Sequence, residues 1–327
     1  MSNLKIAARI IILILLASII NLKADEPTIL RVKEINWGNS SDNLFFYRPS
    51  TMLFAQEELY IVESGENKIR IYGSDGQLKR SIGRKGSGPE EFDTPIGLDF
   101  YEDQIYVSDS FNNMIKIFDK YGKYLGGFKT NFTPVQVAVL NKEKILVTNR
   151  PSPRFSSEKL VYCFNSNGKL QWKAIDTCPA SDHIVYTLLN EIILKKDPSG
   201  YCYLIWKYQN NYIIKMDGNG QIIEKIMLDF RYPSKSVDLP LKSGKQKITC
   251  VCWSFARDKE YFYLIAPDYD QDGDLRPGKK IIKLNEKGQI TAIIKLPLAL
   301  RLLTVNGKFL YGIDSEDKLH AFQLEGT

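Results

Sequence analysis

Four carboxylates at alternate positions, Asp268, Asp270, Asp272 and Asp274, share one short segment with Gly273. Hard divalent cations are wrapped by oxygen ligands spaced in this way, so the segment fits a structural calcium ion that orders a long loop. Two departures count against calcium. Lys279 stands where a helix-flanked calcium loop carries its bidentate glutamate, and Arg276 stands where a further acidic or water-mediated ligand is common. A solvated acidic turn is the competing reading, and no other cofactor is indicated.

A second set recurs along the chain. Glu63, Asp109, Asn149 and Asp314 end corresponding apolar runs, while Trp206 and Ala266 hold the same place in two others. Polar groups converging on a channel mouth bind ligands, and the same side chains cap turns by accepting backbone N–H bonds. Glu63, Asp109, Asn149, Trp206 and Asp314 are therefore the ligand-binding candidates. Arg48, Arg150 and Lys207 lie near them in sequence as contacts for an anionic group.

Nucleophilic and nucleotide chemistry finds little support. The histidines are His183 and His320, and no Gly-x-Ser-x-Gly, phosphate-loop or dinucleotide pattern appears, so no catalytic residue is assigned. Five cysteines leave at least one thiol unpaired. Cys163, Cys202, Cys250 and Cys252 fall in apolar runs, where free cysteine acts as a small buried hydrophobe. Cys178, beside Pro179, is the accessible one.

The elements that must position these residues follow from an internal repeat. Glu58 to Gly83 and Gln104 to Lys129 match at a constant offset of 46 residues, pairing Tyr60 with Tyr106, Asn67 with Asn113, Ile71 with Ile117 and Gly76 with Gly122. Each copy reads as strand, polar turn, alternating strand, glycine turn and a further strand, with an inner strand such as Pro95-Ile96-Gly97-Leu98-Asp99 ahead of it. Four short antiparallel strands make one propeller blade, and periods of this length mark such arrays. Weaker copies carry Gly168, Gly220 and Gly288, and a last one ends near Phe322. That predicts an all-β, six-bladed propeller over residues 28–327, whose last blade takes its outer strand from Ile29-Leu30-Arg31-Val32-Lys33. The recurring Tyr60, Tyr106, Tyr203, Tyr263 and Tyr311 read as packing between neighbouring blades.

Gly86-Ser87-Gly88-Pro89-Glu90-Glu91-Phe92, Pro95-Ile96-Gly97-Leu98, Ile105-Tyr106-Val107-Ser108-Asp109 and Asn112-Asn113-Met114-Ile115-Lys116-Ile117-Phe118 together resemble an NHL repeat. The resemblance implies a β-propeller, most often six-bladed, used chiefly as a binding platform. Among proteins of similar fold, an amidating lyase needs a zinc site built largely from histidines, and sugar lactone hydrolases hold calcium on acidic and amide residues in the channel. Glu63, Asp109 and Asn149 could imitate the second.

Residues 1–24 resemble a secretory signal peptide: Lys5 and Arg9 precede an apolar run from Ile10 to Leu16 that extends to Ile20. Cleavage after Ala24 is the first reading, and an uncleaved anchor through residues 10–20, associated with the membrane, is the second. Loss of Lys5, Arg9 and Lys23 takes the formal charge from +6 to +3. With charges interspersed, the chain lacks the clustered cations that nucleic acid requires. The sequence thus predicts a secreted or periplasmic, non-enzymatic binding or scaffold module for a protein or small extracytoplasmic ligand. The alternative is a metal-dependent hydrolase or lyase at the channel mouth.

Overall fold

The computed structural model describes residues 26–38, 44–151, 159–229, 231–241 and 244–325. The expected leader, residues 1–24, lies outside them. Alternating apolar and polar residues between turn formers give short antiparallel strands, and these assemble into a six-bladed β-propeller. Blades one to four occupy residues 49–82, 95–129, 134–176 and 192–227, and each is a four-stranded antiparallel sheet in chain order. Blade five runs from 254 to 295 and blade six from 300 to 325.

The N-terminal strand Thr28–Glu34 lies against both of the last two blades. Residues 28–30 run parallel to 292–294 on the outer strand of blade five, and residues 31–34 pair antiparallel with 322–325 of blade six. The six inner strands touch one another in cyclic order, the last against the first. Each seam between neighbouring blades holds its own apolar core, six in all among the described residues. Tyr60, Tyr106, Tyr203, Tyr263 and Tyr311 are buried in these seams. Four of their hydroxyls donate to Glu58, Gln104, Asp197 and Asp258, so the buried oxygen keeps a partner. The landmark glycines turn with positive φ and abut the preceding blade: at Gly168 (φ 76°) an added Cβ would fall 2.4 Å from Cβ of Phe128.

An inner strand has no further strand on its axial side, and polar side chains of the neighbouring blade satisfy its free backbone groups. Ser50 Oγ donates to the Ile96 carbonyl at 2.9 Å, and Asp99 accepts from Val139 N–H at 2.6 Å. Gln136 accepts from Leu194 N–H at 2.6 Å, Ser254 from Leu303 N–H at 3.2 Å, and Arg301 donates to the Pro49 carbonyl at 3.0 Å. The seam between blades four and five is bridged by the buried side chain of Arg257, the last residue of the inner strand of blade five. Its guanidinium lies 4.1 Å from the Tyr203 ring centroid and bonds Asp197 at 3.3 Å.

Two insertions interrupt the symmetry. A helix, His183–Leu189, capped by Asp182, precedes blade four, and a hairpin, Lys235–Leu241 with Gly244–Cys250, precedes blade five. They pack on one another through Val185, Leu189, Leu239 and Ile248. The cysteines are all free; Cys163, Cys202, Cys250 and Cys252 are buried and Cys178 is exposed. Cys252 lies just beyond the hairpin strand, not within a strand as expected. Among the described residues no helix is long and apolar enough to cross a membrane.

Deleting residues 25–37 removes the strand shared by blades five and six. The expected product is insoluble or strongly destabilised, and a soluble truncation that unfolds cooperatively by circular dichroism would contradict the role given to this strand.

Candidate functional site

The inner strands of blades one, two, three and six share a local irregularity. Pro49, Pro95, Pro134 and Leu300 pair with the last residue of the next strand, and the register then slips before pairing resumes. Proline at this first position costs no ladder bond, and the bulge re-aims the residues that follow it. Ser50, Ile96, Val135 and Gln136, all set by these slips, face a cavity on the propeller axis of about 360 Å³. Blades four, five and six complete it with Ile193, Lys195, Phe255 and Leu303. At its mouth stand Asn149 and Arg150 of blade three, Lys207 of blade four and Trp253, together with Thr187, Asn190 and Glu191 from the inserted helix and its exit. Its size falls in the range of small-molecule sites, about 300–1,000 Å³.

The same pairing register shows that Glu63, Asp109, Asn149, Trp206 and Asp314 hold equivalent stations, each opposite the first residue of its inner strand. Their surroundings differ. Glu63 is buried, accepting from Tyr47 N–H at 2.7 Å and facing Arg70 at 2.9 Å. Asp109 is buried as well, and it accepts from Asp93 N–H and Asn112 Nδ2 at 2.7 Å and from Lys116 Nζ at 3.0 Å. Burial pushes the Asp109 carboxyl up, against the pull of these partners. Lys116 in turn donates to the Gly88 carbonyl at 2.7 Å and to the Glu91 carbonyl, fastening the glycine-rich loop ahead of blade two. Asp314 accepts from Glu316 and Lys318 N–H groups and faces His320 at 2.9 Å. Burial would raise its carboxyl, but these bonds together hold it below the ordinary range. Trp206 packs between blades three and four, its ring edge-on to Tyr212.

Asn149 alone of the five lines the cavity. It is 3% exposed, and its Oδ1 is buried with no hydrogen-bond partner among the described residues. Trp253 Nε1 is in the same condition. Of the three cations named beside the candidates, Arg150 and Lys207 reach the cavity, while Arg48 serves through its backbone, donating to Asp317. Lys207 pairs with Glu191 at 2.7 Å and lies 5.6 Å from the centre of the Trp253 ring.

The acidic segment is a hairpin tip remote from this cavity. Asp270 accepts from Asp272 and Asp274 N–H groups at 3.1 and 2.8 Å and pairs with Arg276 at 2.8 Å. The Asp274 N–H bond, ahead of Arg276, holds the Asp270 carboxyl below its usual range. Among the described residues no three His, Cys, Asp or Glu side chains converge on one point, and Asp268, Asp270, Asp272 and Asp274 form no such group. His320 is held between Glu34 and Asp314, and neither it nor His183 lines the cavity.

Lys195 and Trp253 escaped the sequence reading because apolar runs gave no reason to single them out. The insertions left a trace: 52 residues separate Gly168 from Gly220 and 68 separate Gly220 from Gly288, against 46 between the earlier landmarks, and the helix and the hairpin fall in these two longer intervals.

Residues 24–264 match the profile of the family DUF5128, described as a 6-bladed beta-propeller. No curated protein matches the sequence. Similar solved structures include a protein of Bacteroides fragilis named as a candidate exported protein, at 10% identity and TM-score 0.63 over 93% of this chain and 97% of that one. A member of the duf4221 family from Bacteroides vulgatus follows at 12% identity and TM-score 0.59, covering 92% and 99%. Virginiamycin B lyase from Staphylococcus aureus gives 11% identity and TM-score 0.52, covering 90% and 99%. At these identities the likeness is one of fold.

Two substitutions separate support from site. Asp109→Ala strands the buried Lys116 and is expected to cost about 3 kcal/mol in chemical denaturation. Asn149→Leu removes an unpartnered acceptor and is expected to change stability by less than about 1 kcal/mol. Equal losses would put both residues in the same supporting role.

Proposed function

We propose a function that starts from family: the chain belongs to the DUF5128 family of six-bladed β-propellers, and its channel serves as the binding site of an exported, non-enzymatic module of NHL-like type at the cell envelope. The observation that carries this reading is the axial cavity. All six blades contribute to it, the inserted helix, backed by the hairpin, builds up its rim on one side, and Asn149 and Trp253 bring to its wall buried polar atoms without partners among the described residues. Buried polar groups are normally satisfied, and a site awaiting a ligand is one physical reason for leaving them open.

Its ionisable lining holds three cations and one carboxylate, and Lys195 is the group there without a partner among the described residues. Arg150, Lys195, Lys207 and Glu191 are the charged residues there, and the carboxylate is already paired with Lys207. No uncommitted carboxylate or imidazole among the lining residues is placed as a general base. Export is supported by the leader-like residues 1–24, by no more than a likeness of fold to a candidate exported protein, and by the near-neutral charge of the processed chain. A small ligand or the tip of a partner protein would enter from the Asn149 side.

The test is retention from envelope extract. Purified protein passed through a desalting column is expected to carry an unchanged small molecule or peptide, identified by mass spectrometry, that Asn149→Leu fails to retain. Chemical conversion of that molecule, abolished by a chelator, would favour the hydrolase or lyase instead. Sequencing of the exported protein should begin at Asp25; an intact residue 1 would assign residues 10–20 to an anchor.

A further inference from the structure

Two neighbouring lysines on the inner strand of blade four are used in different ways. Lys196 crosses the propeller: its ammonium bonds Asp99 at 2.7 Å, the Phe100 carbonyl at 3.0 Å and the Val139 carbonyl at 2.8 Å, tying blades two, three and four together. Lys195, one residue earlier, lines the axial cavity and makes no hydrogen bond or ion pair among the described residues. It sits opposite Tyr203, the station that Asp99 holds opposite Tyr106 in blade two. Asp99 is the carboxylate whose field favours the Lys195 charge, yet its Oδ2 accepts from Lys196 and from Val139 N–H, and no ion pair joins it to Lys195. Burial depresses the Lys195 ammonium below the ordinary lysine range.

A half-buried ammonium that faces an apolar cavity without a counterion keeps its charge at a cost, which a bound anion relieves and loss of the proton avoids. Met52, Ile96, Val135, Ile193, Phe255 and Leu303 supply none, being apolar. Arg150 and Lys207 add positive charge at the mouth, against Glu191 alone. A phosphate would call for several convergent charged donors; with Lys207 paired to Glu191 and Arg150 exposed at the mouth, the inner cavity offers one ammonium, which suits one carboxylate. At the mouth, Trp253 Nε1 needs an acceptor and Asn149 Oδ1 needs a donor, a demand that one hydroxyl or amide group meets.

We propose that the axial cavity binds a small monocarboxylate with an apolar body and a hydroxyl or amide end, its carboxylate on Lys195 and its polar end between Trp253 and Asn149. The proposal rests on the reading of the cavity as a ligand site and adds the class of ligand. Lys195 is the specificity-determining residue: without its charge, the cavity has an apolar floor and no reason to prefer an acid.

The test uses three probes with a common body, 4-hydroxyphenylacetate, 4-hydroxyphenylacetamide and tyramine, titrated calorimetrically into the purified chain. The acid is expected to bind at least about tenfold more tightly than the neutral amide or the amine. Lys195→Met is expected to abolish that preference while leaving the melting temperature unchanged or higher, and Lys195→Arg to keep part of it. Asn149→Leu should weaken acid and amide alike. Equal affinity for acid and amide, an acid affinity untouched by Lys195→Met, or no binding of the acid would each overturn the carboxylate assignment. If Asn149→Leu still abolishes retention of the extract molecule in any of those cases, the cavity remains a binding site and only its ligand class is wrong. If retention also proves indifferent to Asn149, both readings fall.

Discussion

Six sheets radiating from one axis must bring their inner strands within contact of one another, and every other feature of the molecule answers to that constraint. Each inner strand ends its sheet and turns unpaired backbone groups toward a neighbour instead of toward another strand. Polar side chains one blade away take those bonds at five of the six seams described, while at the remaining one Arg257 pairs with the Asp197 side chain instead of with backbone. That seam is the one beside which Lys195 and Trp253 face the cavity.

Equivalence of position does not give equivalence of role. Glu63, Asp109, Asn149, Trp206 and Asp314 stand at one station of the repeat, yet the first two are consumed by salt links that hold loops in place, and Asp314 is consumed by a turn. Asn149 differs in being neutral: its amide donates to the Lys159 carbonyl, and its oxygen, at the cavity wall, is unspent among the described residues. Charge accounts for the difference: a buried carboxylate must be matched where it stands, whereas a neutral amide can wait for a ligand at lower cost.

The cavity is asymmetric although the fold is nearly symmetric. Helix His183–Leu189 and its exit raise one side of the mouth, and apolar contacts with the hairpin ending at Cys250 back that wall. The acidic tip at Asp270 contributes no lining residue: its carboxylate is spent on its own backbone and on Arg276, and the neighbouring Tyr269 hydroxyl donates to the Ser236 carbonyl of the inserted hairpin.

Periodicity alone specified the blades, because a sheet that stacks on copies of itself must repeat its bulk at fixed intervals. Tyr60, Tyr106, Tyr203 and the landmark glycines made that visible, and Asn149 was legible as a polar residue ending its strand. Lys195, Trp253 and the pairing of Asp109 with Lys116 were not, since each depends on which groups meet across seams tens of residues apart. A linear chain records what a side chain is; whether its charge is matched or left open to a ligand was decided only when the ring brought six distant strands together.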